Sequence, residues 1–168
     1  MPVAVSDSST LIHLAVLGRL VLLREFYGQV LIPPAVWKEV VEEGKGRAGG
    51  REVEEAARSG WLRVIAPANE PLVRLLKRDL DAGEAEAIAL AVEQQADMVL
   101  LDESDARRVA GVYEVPKTGV LGLLVRGRLE GKLPSLRQEL ARLRQDAGFW
   151  IDEDLCRRAL EAVGEGRS

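Results

Sequence analysis

The chain has little sulfur, little imidazole and few aromatic side chains. Its 168 residues include one cysteine, Cys156, and one histidine, His13, and only 4% are aromatic. A single cysteine excludes an internal disulfide framework and a cysteine-rich zinc site. A single histidine argues against a Ser-His-Asp triad and against a metal centre built from several histidines. Any chemistry must therefore come from carboxylates, hydroxyls, lysine and arginine.

Long apolar runs are also missing. No stretch is long enough to span a bilayer, and the N-terminus lacks the basic and apolar segments of a signal peptide. We therefore expect a soluble cytoplasmic protein. The formal net charge of −4 argues against a uniformly basic nucleic-acid binder. It leaves room for basic patches around an acidic site, because the distribution of charge matters more than its sum.

Short apolar strands alternate with helical segments along the chain. The strands are predicted at 3–7, 29–33, 61–67, 97–102 and 112–116. This alternation predicts one α/β domain with a mainly parallel central sheet, and the chain length suits a single domain. We expect residues 1–130 to form the core and residues 131–168 to form a helical cap of the same domain.

Acidic residues fall where the predicted strands end. Asp7 and Asp102 each follow an apolar strand, and the carboxyl ends of parallel strands meet at one edge of a sheet. Glu39 lies at the border of the buried face of the helix after the second strand. Glu84 lies in the first turn of the helix in LDAGEAEAIALA, residues 80–91. Our hypothesis is that right-handed crossovers bring both helices towards that edge.

Each acid also has an ordinary structural explanation. Asp81 and Glu84 have the spacing of a capping box, and acids suit the positive end of a helix. Asp7 and Asp102 are able to cap the helices that follow them, and an isolated Glu39 is most often a surface residue. The separate explanations do not predict the joint placement of all these acids in chain order.

Five segments resemble the PIN-domain ribonucleases: VSDSSTLIHL, PPAVWKEV, LDAGEAEAIALA, LLDESDARRVA and TGVLGLL. The resemblance covers roughly residues 3–128 and is strongest to a mostly uncharacterised bacterial and archaeal branch. It implies a three-layer α/β/α sandwich with additional C-terminal helices. It also implies an acidic quartet that binds Mg²⁺ or Mn²⁺ and cleaves single-stranded RNA. Many PIN domains are toxins of toxin–antitoxin pairs.

The resemblance implies four metal-binding and catalytic acids: Asp7, Glu39, Glu84 and Asp102. Ser9 matches a small hydroxyl residue that often supports the first acid, and Glu86 and Asp105 are further supporting candidates. The third acid of the family is commonly Asp, and here Glu84 and Glu86 both remain open for that role. Oxygen ligands suit hard divalent cations, and a bound cation relieves the repulsion between clustered carboxylates.

Basic residues follow the fourth acid. Arg107, Arg108 and Lys117 are candidates for contacts with nucleic-acid phosphates, and a solvated face is the alternative explanation. Thr118 is predicted to begin a helix, whose free N–H groups are able to hold a phosphate. The family resemblance further implies a homodimer, for which the apolar helices around 11–26 and 118–129 offer surfaces, and an antitoxin partner.

The remaining distinctive side chains are interpreted as structural. His13 is predicted to be a half-buried residue of the first helix. Trp37, Trp61 and Trp150 are predicted to pack in the core or the cap rather than to stack on bases.

Three rival functions are compatible with an α/β fold. A receiver domain requires an acceptor Asp after strand three, which here ends in VIAP. A haloacid-dehalogenase-type phosphatase requires Asp-x-Asp after strand one, where this chain has Ser9 in place of the second acid. A non-catalytic PIN-like module that binds nucleic acid or protein is the more serious rival.

Overall fold

The computed structural model describes residues 2–166. The strands are β1 Val3–Ser6, β2 Gln29–Ile32, β3 Leu62–Val64, β4 Met98–Leu100 and β5 Lys117–Thr118. The helices of the first half are α1 Ser8–Val16, α2 Val21–Phe26, α3 Pro34–Trp37 and α4 Gly50–Ser59, with a π-helical segment at Lys38–Glu42. The other helices are α5 Glu70–Leu76, α6 Ala82–Gln94, α7 Ser104–Val112, α8 Val120–Leu129, α9 Leu136–Ala147 and α10 Glu153–Ala162.

The five strands form one parallel sheet in the order β3-β2-β1-β4-β5. Ser6 of β1 pairs with Leu100 of β4, so these two strands end side by side. This central position places the residues that follow β1 and β4 next to each other at the carboxyl edge of the sheet. In open α/β sheets, ligands bind outside this edge, where the direction of strand order reverses.

Alternate residues of the strands face two separate hydrophobic layers. Ala4 packs with α1, α2, α8 and the C-terminal helices, whereas its neighbour Val5 packs with α5, α6 and α7. In β4, Leu100 faces the first layer and Val99 faces the second. Successive side chains of a strand point to opposite faces, so helices cover the sheet on both sides. The predicted three-layer α/β/α fold is confirmed.

Two predicted elements are wrong in detail. The fifth strand is not at 112–116, because α7 continues to Val112 and Glu114 has a positive φ of 58° that interrupts an extended chain. Pairing with β4 begins only at the carbonyl of Pro116, which accepts from the Val99 N–H at 2.8 Å. Thr118 therefore lies in β5, and the following helix is capped at Gly119 rather than at Thr118.

The helix predicted after the second strand changes its winding at Trp37. The Glu43 N–H donates to the carbonyl of Lys38 at 2.8 Å, which is the i→i+5 bond of a π-helix. The buried spacing of Val36, Val40 and Val41 suits either winding, so the sequence pattern does not distinguish them. Glu39 lies within this π-helical segment.

The C-terminal helices complete the core of the first layer. The α9 helix packs against α1 and α8, and α10 packs against α8 and α9. Leu136, Leu143, Ala159 and Val163 are buried with side chains of α1 and α2. The division into a core (1–130) and a cap (131–168) stays a prediction, and its outer ends, Met1, Arg167 and Ser168, lie outside the described residues.

This packing leaves little of the surface suggested for a homodimer. The large apolar residues of both stretches are in the core: Leu11, Leu14, Leu22, Leu23, Phe26, Val120, Leu123 and Leu124. Val21 and Leu129 remain exposed there. Within residues 2–166, no helix combines the length and apolarity needed to cross a membrane.

An ion pair between Arg19 and the buried Glu139 connects the turn after α1 to α9. Arg19 Nε and Nη2 donate to the two carboxylate oxygens of Glu139 at 3.0 and 3.2 Å, and Glu139 is only 3% exposed. We expect Arg19→Ala to lower the free energy of unfolding by about 2 kcal/mol, because it removes a charged hydrogen-bond partner from a buried acid. Arg142, 3.7 Å from Glu139, limits the loss. Urea denaturation measures the effect.

The matched control is Arg157→Ala. Arg157 pairs with Asp154 on the exposed face of α10, where solvent screens the two charges and the ion pair adds little to stability. Equal losses for the two variants contradict a fastening role for Arg19.

Candidate metal centre

Asp7 lies at the junction of β1 and α1 and faces inward. Its N–H donates to the carbonyl of Leu100 at 3.0 Å, which continues the sheet pairing beyond β1. Its carboxylate oxygen Oδ1 accepts from the Thr10 N–H at 2.9 Å, so Asp7 is also the N-cap of α1. The residue is 1% exposed. The capping role and the strand-end position predicted separately from the sequence are therefore combined in one side chain.

Asp102 lies beside Asp7, one residue after Leu101 and two after the end of β4. Its N–H is 3.4 Å from Asp7 Oδ2 and donates to it. Its own Oδ1 accepts from the Val120 N–H at the start of α8 at 2.7 Å. Its Oδ2 is 2.8 Å from His13 Nδ1. With a side chain that is 2% exposed, Asp102 is held from two directions in a fixed orientation.

The two carboxyl groups are electrostatically strained by their burial. Loss of hydration, and then the negative charge of Asp102, raise the pKa of Asp7 to about 8. Backbone hydrogen bonds from Thr10 and Asp102 oppose this rise without cancelling it. Two buried carboxylates cannot easily carry full charge together. The pair is therefore an arrangement that a positive ligand would stabilise.

Glu84 reaches the same edge of the sheet from α6. An ideal Cβ on Gly83, the residue before it, lies 3.5 Å from the hydroxyl of Ser8. Partial burial raises the pKa of Glu84, and the charges of Asp81, Glu103 and Asp105 raise it further. Glu84 is thus part of an acidic rim that also includes Glu103, which the sequence analysis did not select.

The predicted capping box at the start of α6 is present. Asp81 Oδ1 accepts from the Glu84 N–H at 2.8 Å, and Glu84 Oε1 accepts from the Asp81 N–H at 3.3 Å. The opening acids of this helix therefore stabilise its first turn. Glu84 Oε2 has no hydrogen-bond donor within residues 2–166, so one oxygen stays available at the rim.

Glu86 and Glu39 have different surroundings from the buried pair. Glu86 Oε1 accepts from the Ala35 N–H at 3.1 Å and caps the short helix α3. Glu84 likewise accepts a backbone N–H, so both Glu84 and Glu86 stay open for the role of the third acid. Glu39 is exposed. Among the described residues, no three His, Cys, Asp or Glu side chains group closely enough to hold a metal ion.

The hydroxyl residues after Asp7 are arranged differently from the expectation. Ser9 is half-buried, and Ser6 Oγ, not Ser9, donates to the carbonyl of Asp7 at 3.0 Å. Ser8 is buried, and its hydroxyl has no hydrogen-bond partner in the described part of the chain. It lies between Asp7 and the start of α6. Ser8 is therefore an additional oxygen donor that the sequence analysis passed over.

The residues predicted to contact nucleic acid separate into two groups. Arg107 and Thr118 line a cleft that has Asp102 in its wall. Arg108 instead pairs with Asp105 at 3.6 Å on an exposed face, and Lys117 lies beside Gly111 of α7. Only the first group borders the acidic pair.

His13 is the main contact of Asp102 that the sequence did not reveal. It is half-buried, as predicted, but its ring bonds to Asp102 across 89 positions of the chain. Its ring centroid is 4.2 Å from that of Phe149, which belongs to the segment between α9 and α10. The C-terminal segment therefore covers the ring that supports Asp102. A lone histidine on an apolar helix carries no local signal of such a contact.

The donor set fits a divalent cation. Mg²⁺ commonly binds through one or two carboxylates and keeps several waters, so Asp7 and Asp102 are sufficient protein ligands. Burial and the charge of Asp102 raise the pKa of Asp7, and a bound cation would offset both effects. The unpartnered Ser8 hydroxyl adds a neutral oxygen nearby.

A family model described as a PIN domain matches residues 3–165. The match extends beyond the predicted range of 3–128 and includes α9 and α10. No curated protein matches the chain at a significant level.

Proposed function

Because the chain belongs to the PIN-domain family, we propose that it is a metal-dependent endoribonuclease that cleaves phosphodiester bonds of single-stranded RNA. The observation that carries the proposal is the buried pair of Asp7 and Asp102 at the carboxyl edge of the sheet. PIN domains have a nuclease-type fold and typically use divalent metals. We also propose single-stranded RNA as the substrate and Mg²⁺ or Mn²⁺ as the cation.

Asp7 and Asp102 are the proposed ligands of the cation, with Glu84 and Glu39 as the outer acids. A divalent cation supplies a nucleophilic water and stabilises negative charge on the phosphodiester oxygens. The chain itself supplies orientation: the Val120 N–H and His13 Nδ1 hold the two oxygens of Asp102, and the Thr10 N–H holds Asp7. Such fixed donors keep the carboxylates in place without reorganisation.

Arg107 is the proposed contact for the RNA backbone. It lines the cleft beside Asp102, so a phosphate near the acidic pair has a guanidinium within the same wall. Phosphate contacts of this type depend on salt.

The direct test is cleavage of a labelled single-stranded RNA by the purified protein. We expect cleavage with Mn²⁺ or Mg²⁺ and its complete loss in excess chelator. Carboxylates alone cannot activate a water molecule or neutralise the charge of the phosphodiester. Binding measured in chelator separates the rival function. RNA that is bound but never cleaved, with either metal, contradicts the nuclease and favours a non-catalytic binding module.

A toxin role, an antitoxin partner, a homodimer and a cytoplasmic location remain predictions from the family resemblance and the sequence. The most economical check of the first two is a short antitoxin-like reading frame adjacent to the coding sequence. Expression of the chain alone is then expected to arrest growth, and co-expression of the neighbour is expected to relieve the arrest.

A further inference from the structure

Trp150 is an aromatic side chain that is open to solvent and lies beside a cleft. It is 68% exposed, contrary to the prediction that it packs in the cap. The guanidinium of Arg144 lies 4.2 Å from the ring centroid and covers part of the ring. A large planar side chain held by a cation and left open to solvent offers a stacking surface.

The cleft beside Trp150 leads to the acidic pair. It has a volume of about 580 Å³, within the range of sites for small molecules. Asp102 and Gly119 form one wall, and Phe149 and Trp150 of the segment between α9 and α10 form another. The cleft therefore joins an exposed aromatic ring to the carboxylate that we assign to the metal.

The charged residues of the cleft suit an anionic ligand with a planar group. Arg107 and Arg158 line it, and Arg144 lies behind Trp150. Asp152, which also lines the cleft, accepts the Leu155 N–H at 3.1 Å as the N-cap of α10. Arg158 pairs with Asp154 at 3.2 Å, so Arg107 is the cation that the cleft offers to a phosphate. A cation beside an apolar, aromatic wall matches a nucleotide, which carries a phosphate and a base on adjacent groups.

We propose that this cleft binds one nucleotide of single-stranded RNA, with its base stacked on Trp150 and its phosphate directed towards Arg107 and the Asp7–Asp102 pair. The proposal rests on the proposed ribonuclease function and names a substrate subsite for it. Trp150 acts as a positioning residue. Stacking tolerates any base, because every base has a π face, so the subsite favours unpaired RNA over a particular sequence.

The experiment measures binding of a labelled single-stranded RNA in chelator, so that cleavage plays no part. We expect Trp150→Ala to weaken binding about ten-fold, which is the usual effect of losing one base–aromatic stack. Trp150→Phe is expected to restore most of the affinity. Leu129→Ala is the matched control, since Leu129 is 63% exposed at the far end of α8, and its affinity should equal that of the wild type.

A second arm uses RNA in which single nucleotides lack their base but keep their phosphates. One abasic position is expected to lower the RNA affinity of the wild type and to leave the affinity of Trp150→Ala unchanged, because the contribution of the base depends on the indole ring. Melting temperatures confirm that the variants are folded. Equal affinity of Trp150→Ala and the wild type overturns the subsite, as does an abasic penalty of the same size in both proteins.

The outcomes separate the subsite from the nuclease. If the coupling between Trp150 and the base is found but no metal supports cleavage, the subsite stands and the ribonuclease fails. If metal-dependent cleavage occurs and Trp150→Ala cleaves and binds like the wild type, the ribonuclease stands and the subsite fails. Absence of RNA binding by the wild type in chelator overturns the subsite, and the cleavage assay with metal decides the ribonuclease.

Discussion

Replacing Asp7 by Asn is expected to abolish RNA cleavage while making the metal-free protein more stable. The variant loses a carboxylate ligand of the proposed cation, which supplies several kcal/mol of transition-state stabilisation, so we expect a fall in rate of about a thousand-fold or more. Asp102→Asn is expected to give a similar loss. The rate is measured on labelled single-stranded RNA with saturating Mn²⁺.

The stability gain follows from the titration of Asp7. Burial and the charge of Asp102 raise the pKa of Asp7 to about 8 in the folded protein from 3.8 in the unfolded chain. The folded state therefore binds the proton more tightly, so the contribution of Asp7 to stability is fully present below about pH 4 and is lost as the pH rises towards 8. At pH 7 the loss is about 4 kcal/mol. Asn carries no charge and avoids it, and its amide oxygen is able to keep the Thr10 bond.

Urea denaturation in chelator between pH 5 and pH 7.5 tests the sign of this effect. We expect the wild type to lose stability with rising pH and Asp7→Asn to lose much less. Asp146→Asn is the matched control, because Asp146 is an exposed acid of α9 that pairs with Arg142. A wild type whose stability is flat across this range, together with an Asp7→Asn variant of lower stability, contradicts the assignment of a strained acid.

Gly119→Ala is expected to lower the cleavage rate about a hundred-fold. A Cβ at this position would lie 2.6 Å from Asp102 Oδ1 and 2.9 Å from the carbonyl of Leu101, so the carboxylate or the backbone must move. Misplacement of a reacting group by about 1 Å costs this much in rate. Overpacking against backbone is also expected to cost about 2 kcal/mol of stability. The φ of −129° suits alanine, so contact is the only cause.

Gly111→Ala provides the control for Gly119→Ala. Gly111 is an exposed residue in the last turn of α7, and a Cβ added there would lie 3.4 Å from Lys117 Nζ, the flexible end of that side chain. Alanine there is expected to raise stability by about 0.5–1 kcal/mol through helix propensity. Should Gly119→Ala retain the wild-type rate while remaining folded, the close approach of Gly119 to Asp102 has no bearing on activity.

The parts of the fold that the sequence predicted are those with a local signal. An apolar run that ends in an acid marks the end of a buried strand, and parallel pairing then places Asp7 next to Asp102. The capping box of Asp81 and Glu84 depends on a spacing of three residues. These features arise from neighbours in the chain, so the sequence pattern contains them.

Other features depend on packing between distant segments. The bond between His13 and Asp102 requires α1 to lie over the end of β4, and no pattern around His13 indicates it. The fifth strand has only two residues, Lys117 and Thr118, and it pairs with β4 through Pro116 to Thr118. So short a segment has no apolar pattern of its own from which a strand could be predicted. The exposure of Trp150 is set by how α9 and α10 pack against the core, and composition does not reveal it.

The central claim is that Asp7 and Asp102 together bind a divalent cation. Anomalous diffraction at the manganese edge from wild-type crystals soaked in Mn²⁺ tests it most directly. The account predicts a peak at roughly 2.0–2.6 Å from an oxygen of each carboxylate. A manganese peak elsewhere on the molecule, with none between Asp7 and Asp102, contradicts it.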